Sequence, residues 1–508
     1  MARRGLKKLL IANRGEIALR IIRSARLIGL KTVAVYSDAD AGSVHAAAAD
    51  EARPIGPAEP ALSYLNIEAI IAAAKSSGAD AIHPGYGFLS ERPEFARAVT
   101  KAGITFVGPA AEVMAVLGDK LAALRLASQI GVPTVPGSEV AGADAARSFA
   151  GQTGFPIVIK AVAGGGGRGM RVVADESQLD AALEAAAREA KAAFGDGRIF
   201  LEKYLARPRH VEIQVMGDEH GKLVALGERE CSIQRRHQKI IEESPAPGLP
   251  DATRDRMIEA AIRLARAARY RSAGTVEFLV EEKDFYFLEV NARLQVEHPV
   301  TELRFGCDLV AEQLRIAAGE RVNEPHAPRG AAIECRIYAE DAARDFWPAT
   351  GRVEHLNLPA GPGVRVDTHL TPGTTISAYY DGLLAKVISA GETREDARRR
   401  MVLALDEFAL LGVTNTAAFL RDVIDSSAFA EAKLTTGFLH NFFPAWRPPD
   451  HGLEAALIAA ALVAGGTFGA AIASGSRPPD FHSRDSRPAR AARSPWDDLK
   501  GFNLWSRR

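Results

Sequence analysis

Glu289, Asn291, Arg293, Gln295 and Glu297 occupy alternate positions, separated by Val290, Ala292, Leu294 and Val296. In an extended backbone successive side chains point to opposite faces. The alternation therefore predicts a face of two carboxylates, two amides and a guanidinium, backed by an apolar face that packs. These residue types are metal ligands and anion binders, not the Lys, Thr and Ser of a solvated edge strand. Just upstream, residues 275–280 read as a second strand, 281–284 as a charged turn and 285–288 as the return. A hairpin folded about Lys283 sets Glu277 opposite Glu289 on one face. Such paired carboxylates suit Mg²⁺, which takes carboxylate oxygens and nucleotide phosphates together.

A second candidate for phosphate chemistry lies earlier. Gly164, Gly165, Gly166 and Gly167, followed by Arg168, Gly169 and Met170, fall between strands predicted at 156–161 and 170–173. Consecutive glycines remove every Cβ, so backbone N–H groups can wrap phosphate oxygens closely or close over them as a lid. No Gly-Lys-Ser/Thr opens a helix after the loop, so it is not a Walker A sequence. Lys160 ends the strand before the loop and Lys120 follows Gly118-Asp119; either can meet phosphate as a compact point charge. Residues 202–210, with Glu202, Lys203, Leu205 and His210, read as a crossover where a purine ring could be clamped. The basic run from Arg229 to Lys239 contains Gln234 and His237; Lys239, His237 and Arg293 together would attract an anionic substrate.

These groups need elements to hold them. Residues 7–115 alternate strand and helix: strands at 8–12, 32–36, 79–83 and 104–107, helices at 16–29, 67–76 and 94–102. This predicts an α/β, doubly wound parallel sheet, whose ligands sit at the carboxyl ends of the strands. The first turn, Asn13-Arg14-Gly15-Glu16, lacks the dinucleotide spacing, whereas the loop from His83 to Glu91, with Tyr86, follows a strand end and is the better site candidate. Predicted domains are 1–115, then 116–325 with a mobile lid at about 130–205, then an α+β region at 330–447, then an Ala-rich helix and linker at 448–508.

The chain has 508 residues, 47% apolar residues and a formal net charge of zero. That supports several cores and gives no sign of a nucleic-acid groove or a polybasic membrane face. Cys231, Cys307 and Cys335 are isolated, which argues against zinc or a disulfide framework and for a reducing cytoplasm. Residues 455–473 carry no charge, but most are Ala and Gly; a packing helix is expected there rather than a membrane span.

Taken together, the stretches HPGYGFLSE from His83, GGGGRGM from Gly164, QRRHQK from Gln234, NARLQVEHPVTE from Asn291, and Glu334-Cys335-Arg336 with Ala339-Glu340-Asp341 carry a family resemblance. The chain resembles biotin carboxylase, the ATP-grasp subunit of biotin-dependent acyl-CoA carboxylases of the propionyl-, methylcrotonyl- or acetyl-CoA type, from Leu9 to about Trp446. The resemblance implies an ATP-grasp fold and ATP-dependent carboxylation of biotin by bicarbonate through carboxyphosphate. Lys120, Lys160 and His210 would meet the nucleotide, Glu202, Lys203 and Leu205 its adenine, and Gln234 and Leu279 would line the same site. Gly165, Gly166 and Gly167 would close on the phosphates; Glu277, Glu289 and Asn291 would hold Mg²⁺ or Mn²⁺. Lys239, Arg293, Gln295 and the Val296 backbone would hold bicarbonate, Glu297 would be the general base, and Arg336 would stabilise the biotin enolate near Tyr86 and His237.

Implied partners are a biotin carboxyl carrier protein or domain, an acyl-CoA carboxyltransferase subunit and a second copy of the chain. Gly382 stands where relatives often carry Ser or Pro, which bears on local loop stiffness. Residues 494–502 look like the entry to a bridging domain, and no Ala/Val-Met-Lys-Met biotinylation sequence occurs, so biotin is expected from a separate carrier or from a part outside this chain. Two other readings stand beside this one: a carbamoyl-phosphate-type or purine-pathway ATP-grasp ligase, and a non-catalytic nucleotide-binding assembly subunit.

Overall fold

The computed structural model describes residues 5–448 apart from 141, 163–169 and 195. The glycine loop, the Ala-rich segment at 455–473 and the tail at 494–502 lie outside the described residues. Among the described residues no helix is long and apolar enough to cross a membrane.

The N-terminal part forms a five-stranded parallel sheet. Its central strand, Lys8–Ile11, lies between Lys31–Tyr36 and Ala81–His83; Glu51–Pro54 and Thr105–Phe106 are the edges. Leu9, Leu10 and Ile11 are wholly buried because helices cover both faces, as parallel sheets require. The strand at Glu51–Pro54 was not anticipated; its residues are only partly buried and carry no apolar alternation.

Beyond it, Gly137–Val140, Ile199–Lys203, Ile157–Ala161 and Met170–Val173 build a four-stranded antiparallel sheet with its own core of Ile157, Ile159, Leu179, Leu183 and Leu201. Helices Ala143–Thr153 and Leu179–Phe194 belong to this unit.

The largest sheet has eight strands and carries most of the polar residues of interest. In spatial order they are Asp284–Asn291, Ser272–Glu281, Arg209–Gly217, Leu223–Arg235, Gln238–Ser244, Ala331–Tyr338, Leu383–Gly391 and Val364–Thr368. Gln238–Ser244 pairs with Ala331–Tyr338, Ile241 facing Cys335 and Glu242 facing Glu334. The sheet therefore runs unbroken across the boundary expected near residue 330. Glu242 and Glu243 lie inside the strand Gln238–Ser244, and the strand beside it runs from Leu223 through to Arg235.

Candidate active site

The predicted hairpin forms, but about Glu282-Lys283 and with a bulge at Leu288, not as a symmetric fold about Lys283. Ser272–Glu281 and Asp284–Asn291 pair antiparallel, with Glu277 directly opposite Glu289 and Thr275 opposite Asn291. The extended alternation stops at Asn291, earlier than the sequence pattern implied. Residues 292–297 form an irregular turn leading into the helix His298–Phe305. Ala292 N donates to Glu91 at 3.1 Å instead of to a strand, and His298 Nδ1 donates to the Gln295 carbonyl at 2.8 Å. The turn wraps the polar groups around a centre where a strand would have laid them in a row.

Lys239 is that centre. It is largely but not fully buried, and its ammonium donates to Glu212 at 2.6 Å, Glu277 at 2.7 Å and Glu297 at 2.8 Å. Burial disfavours its charge, but those three carboxylates outweigh burial and hold its pKa well above the ordinary lysine value. Two triads with metal-ligand proximity, His210/Glu212/Glu277 and Glu212/Cys231/Glu297, surround the same point. The ammonium takes the position a cation would need there, so neither triad is an independent metal centre.

Glu297 is almost fully buried. Burial pushes its pKa up, yet Lys239, then Arg336 and Arg229, hold it well below the carboxylate range. Arg336 Nη2 donates to Glu297 Oε2 at 2.9 Å and also pairs with Glu242. Burial raises Glu242 to about 7 against the pull of Arg336.

Glu277 accepts from Lys239, from Asn291 Nδ2 at 2.7 Å and from Gln295 Nε2 at 2.8 Å on one oxygen, and from His210 Nε2 at 2.8 Å on the other. Against burial, Lys239 and His210 hold it well below its ordinary value. Glu289 shows the opposite shift: burial first, then the charge of Glu277, raises it. Its nearest cation, Lys120, stands 3.7 Å away. Two carboxylates pushed apart in this way, with Glu289 lightly engaged, fit a divalent cation that would relieve their repulsion. The amide oxygen of Asn291 accepts from Arg293 Nη2 at 2.9 Å, so in this state Asn291 orients Glu277.

The remaining predicted residues distribute as follows. Arg293 reaches Glu91 at 2.9 Å, joining the loop from His83 to this turn. Lys160 pairs with Glu202 on the neighbouring strand, where Val158 and Glu202 are cross-strand partners; Lys203 ends that strand and Leu205 is buried just beyond it. Leu279 lies opposite His210 in the central sheet. Gln234 and Lys239 are partners across the hairpin whose turn, Arg236-His237, has positive φ at both residues. His237 is exposed at the turn; partial burial, then the neighbouring His210, Lys160 and Lys120, lower its pKa and favour the neutral ring. The Tyr86 hydroxyl is buried without a partner among the described residues, and the Tyr86 carbonyl accepts from Asn13 Nδ2 at 2.7 Å. A Cβ on Gly85 would come within 2.8 Å of that Asn13 nitrogen, and φ is +64° there, so glycine is required.

Sequence reasoning missed Glu212, Arg229 and Glu242. Arg229 is wholly buried, and its five N–H donors match five acceptors: Glu212, Gln214, Thr301, Thr275 and Gln295. The signal was present in His210-Val211-Glu212-Ile213-Gln214, an alternation of the same kind as the one that singled out Glu289.

A paired-carboxylate hairpin, a cation cluster and a separate small antiparallel unit define an ATP-grasp ligase. Three family descriptions match in succession: "Biotin carboxylase, N-terminal domain" over residues 5–114, "Carbamoyl-phosphate synthase L chain, ATP binding domain" over 119–325, and "Biotin carboxylase C-terminal domain" over 334–441. The biotin carboxylase of Pseudomonas aeruginosa is 49% identical over 440 residues, covering 85% of this chain and 98% of that protein. The mitochondrial propionyl-CoA carboxylase alpha chain of Sus scrofa is 48% identical over 445 residues, 86% of this chain but 61% of its own length. The biotin carboxylase domain dimer of 2-oxoglutarate carboxylase from Hydrogenobacter thermophilus, solved with magnesium ADP, ADP and bicarbonate, superposes with a TM-score of 0.80 at 43% identity, covering 86% of this chain and 97% of that one. The chain belongs to the biotin carboxylase family.

Proposed function

We propose that this ligase uses ATP and bicarbonate to carboxylate biotin, the first half-reaction of a biotin-dependent carboxylase. The observation that carries the reading is the three-carboxylate cage of Lys239 joined through Glu297 to Arg336. It holds a base, an anion-binding ammonium and a guanidinium within one connected group. The Hydrogenobacter thermophilus relative, crystallised with MgADP and bicarbonate, supports the same assignment.

In this reading bicarbonate takes up donors of Lys239 and Arg293 beside the Val296 backbone and Gln295. Those donors now serve Glu297, Glu277 and Asn291. Withdrawing Lys239 from Glu297 removes the largest force holding its pKa down, so the carboxylate becomes a competent base when substrate is bound. Glu297 takes the bicarbonate proton, and a carbonate oxygen attacks the γ-phosphorus as the bond to ADP breaks. Lys120, Lys160 and His210 supply positive charge for the transferring phosphoryl group. Bound between Glu277 and Glu289, Mg²⁺ or Mn²⁺ would neutralise charge on the phosphate oxygens. Carboxyphosphate splits to CO₂ and phosphate, phosphate takes the proton from biotin N1, and Arg336 stabilises the enolate that attacks CO₂. Glu202, Lys203 and Leu205 place the adenine at the strand end.

Biotin would arrive on a carrier protein or domain, and an acyl-CoA carboxyltransferase would use the carboxybiotin. A homodimer and a cytoplasmic setting complete the proposal, the latter supported by Cys231 and Cys335, both buried and free. The test is ADP release with free biotin as acceptor: it should require bicarbonate. ADP release indifferent to bicarbonate and biotin would favour another ATP-grasp ligase, and none at all a nucleotide-binding assembly subunit.

A further inference from the structure

Residues 292–297 hold most of the groups assigned to bicarbonate, yet no strand ladder fixes their shape. Side chains from elsewhere must do so. Glu91 fixes the start of the turn and His298 its middle. Its end is fixed by Lys386, which the mechanism does not otherwise use. Lys386 has no exposed surface, and its Nζ donates to the Val296 carbonyl at 2.9 Å.

That ammonium is held from two further directions. Glu16, in the first turn of the helix Gly15–Leu27, lies 3.4 Å away, and Asp367 on the adjacent strand lies 3.8 Å away. The Tyr86 ring centroid is 5.9 Å from Nζ. Arg336, Lys386 and Asp367 are direct partners across three neighbouring strands, so their side chains share a face. Burial raises Glu16 to about 7 against the pull of Lys386, whereas Lys386 and Arg365 hold Asp367 below its ordinary value, so moving this buried ammonium leaves at least the Asp367 charge without it. It therefore fixes the 296–297 peptide, and with it the Glu297 backbone, against the row that carries Arg336.

We propose that Lys386, clamped by Glu16, is a positioning residue that sets the Val296–Glu297 backbone for bicarbonate. The inference rests on the function proposed above. It makes bicarbonate binding depend on the N-terminal sheet domain, which supplies Glu16, and on the strand Leu383–Gly391, which supplies Lys386. Nucleotide binding depends on neither.

The test uses the full chain with Lys386→Met and, separately, Glu16→Gln, which removes the clamp's charge at nearly constant size. Steady-state ADP release gives the bicarbonate KM, and calorimetry gives the Kd of MgADP. Losing a charged hydrogen bond should raise the bicarbonate KM roughly tenfold or more in Lys386→Met, and less in Glu16→Gln because Asp367 remains. The MgADP Kd should stay within about twofold, a split that general loss of structure would not produce. If Lys386→Met does not fold, Glu16→Gln decides. An unchanged bicarbonate KM, or a parallel loss of MgADP binding, overturns the inference. Wild-type protein without bicarbonate-dependent ADP release would instead overturn the function beneath it.

Discussion

Arg336 donates to Glu297 Oε2 at 2.9 Å, while the other oxygen of the same carboxylate accepts from Lys239 at 2.8 Å. The proposed base and the proposed enolate stabiliser are thus partners before any substrate arrives. In the proposed mechanism each substrate would break one of these contacts and so free the groups for chemistry.

Replacing either member should separate chemistry from binding. In Glu297→Ala, bicarbonate-dependent ATP cleavage should fall at least about 100-fold, the range for a lost general base. Arg336→Ala should lose carboxylation of free biotin. Calorimetric affinity for ADP should survive in both, since neither side chain is assigned to nucleotide. Normal turnover in either variant would remove its assigned role.

Magnesium should act through the hairpin rim. Wild-type protein should bind ADP more tightly with Mg²⁺ than without, and Glu289→Gln should lose most of that gain while metal-free affinity changes little. An ADP affinity indifferent to Mg²⁺ in the wild type speaks against the Glu277/Glu289 assignment.

The buried guanidinium of Arg229 gives a stability prediction. Lysine keeps the charge but offers three donors where five acceptors wait. Arg229→Lys should destabilise the fold by about 3 kcal/mol in chemical denaturation. A loss too small to measure would mean that water or rotation satisfies those acceptors.

Acid should act through His83. Its Nδ1 accepts from Gly85 N at 3.0 Å and its Nε2 meets Gln313 at 3.2 Å, so it is the neutral form, and burial lowers its pKa to about 4. The unfolded chain, with an ordinary histidine near 6.5, binds this proton first. His83 therefore contributes stability that is complete above about 6.5 and is lost as pH falls toward about 4. Relative to wild type, His83→Asn should show a slope of unfolding free energy against pH that is shallower by up to about 1.4 kcal/mol per pH unit in that window. Identical slopes would show that His83 does not stay neutral in the fold.

The hairpin was legible, but its turn alone does not set the key pair: the strands fold about Glu282-Lys283 and pair Phe278 with Phe287, and a bulge at Leu288 then brings Glu289 opposite Glu277. The family resemblance supplied the roles of Lys239, Glu297 and Arg336, which no local pattern could, since they meet only when strands distant in sequence pair. Alternation misled beyond Asn291, where a contact with Glu91, some 200 residues away in sequence, replaces the strand. Glu212, Arg229 and Glu242 were given no role because each stands in a strand among other charged residues, and its meaning lies in which partner it meets. The unbroken eight-stranded sheet was likewise invisible, because pairing between Gln238–Ser244 and Ala331–Tyr338 leaves no mark in the residues between them.

The most direct test is to supply ATP, Mg²⁺, free biotin and isotopically labelled bicarbonate to the purified chain and to trap the product as its methyl ester. The account predicts labelled carboxybiotin formed one for one with biotin-dependent ADP and lost in Glu297→Ala. Biotin-dependent ADP without label on biotin would contradict it.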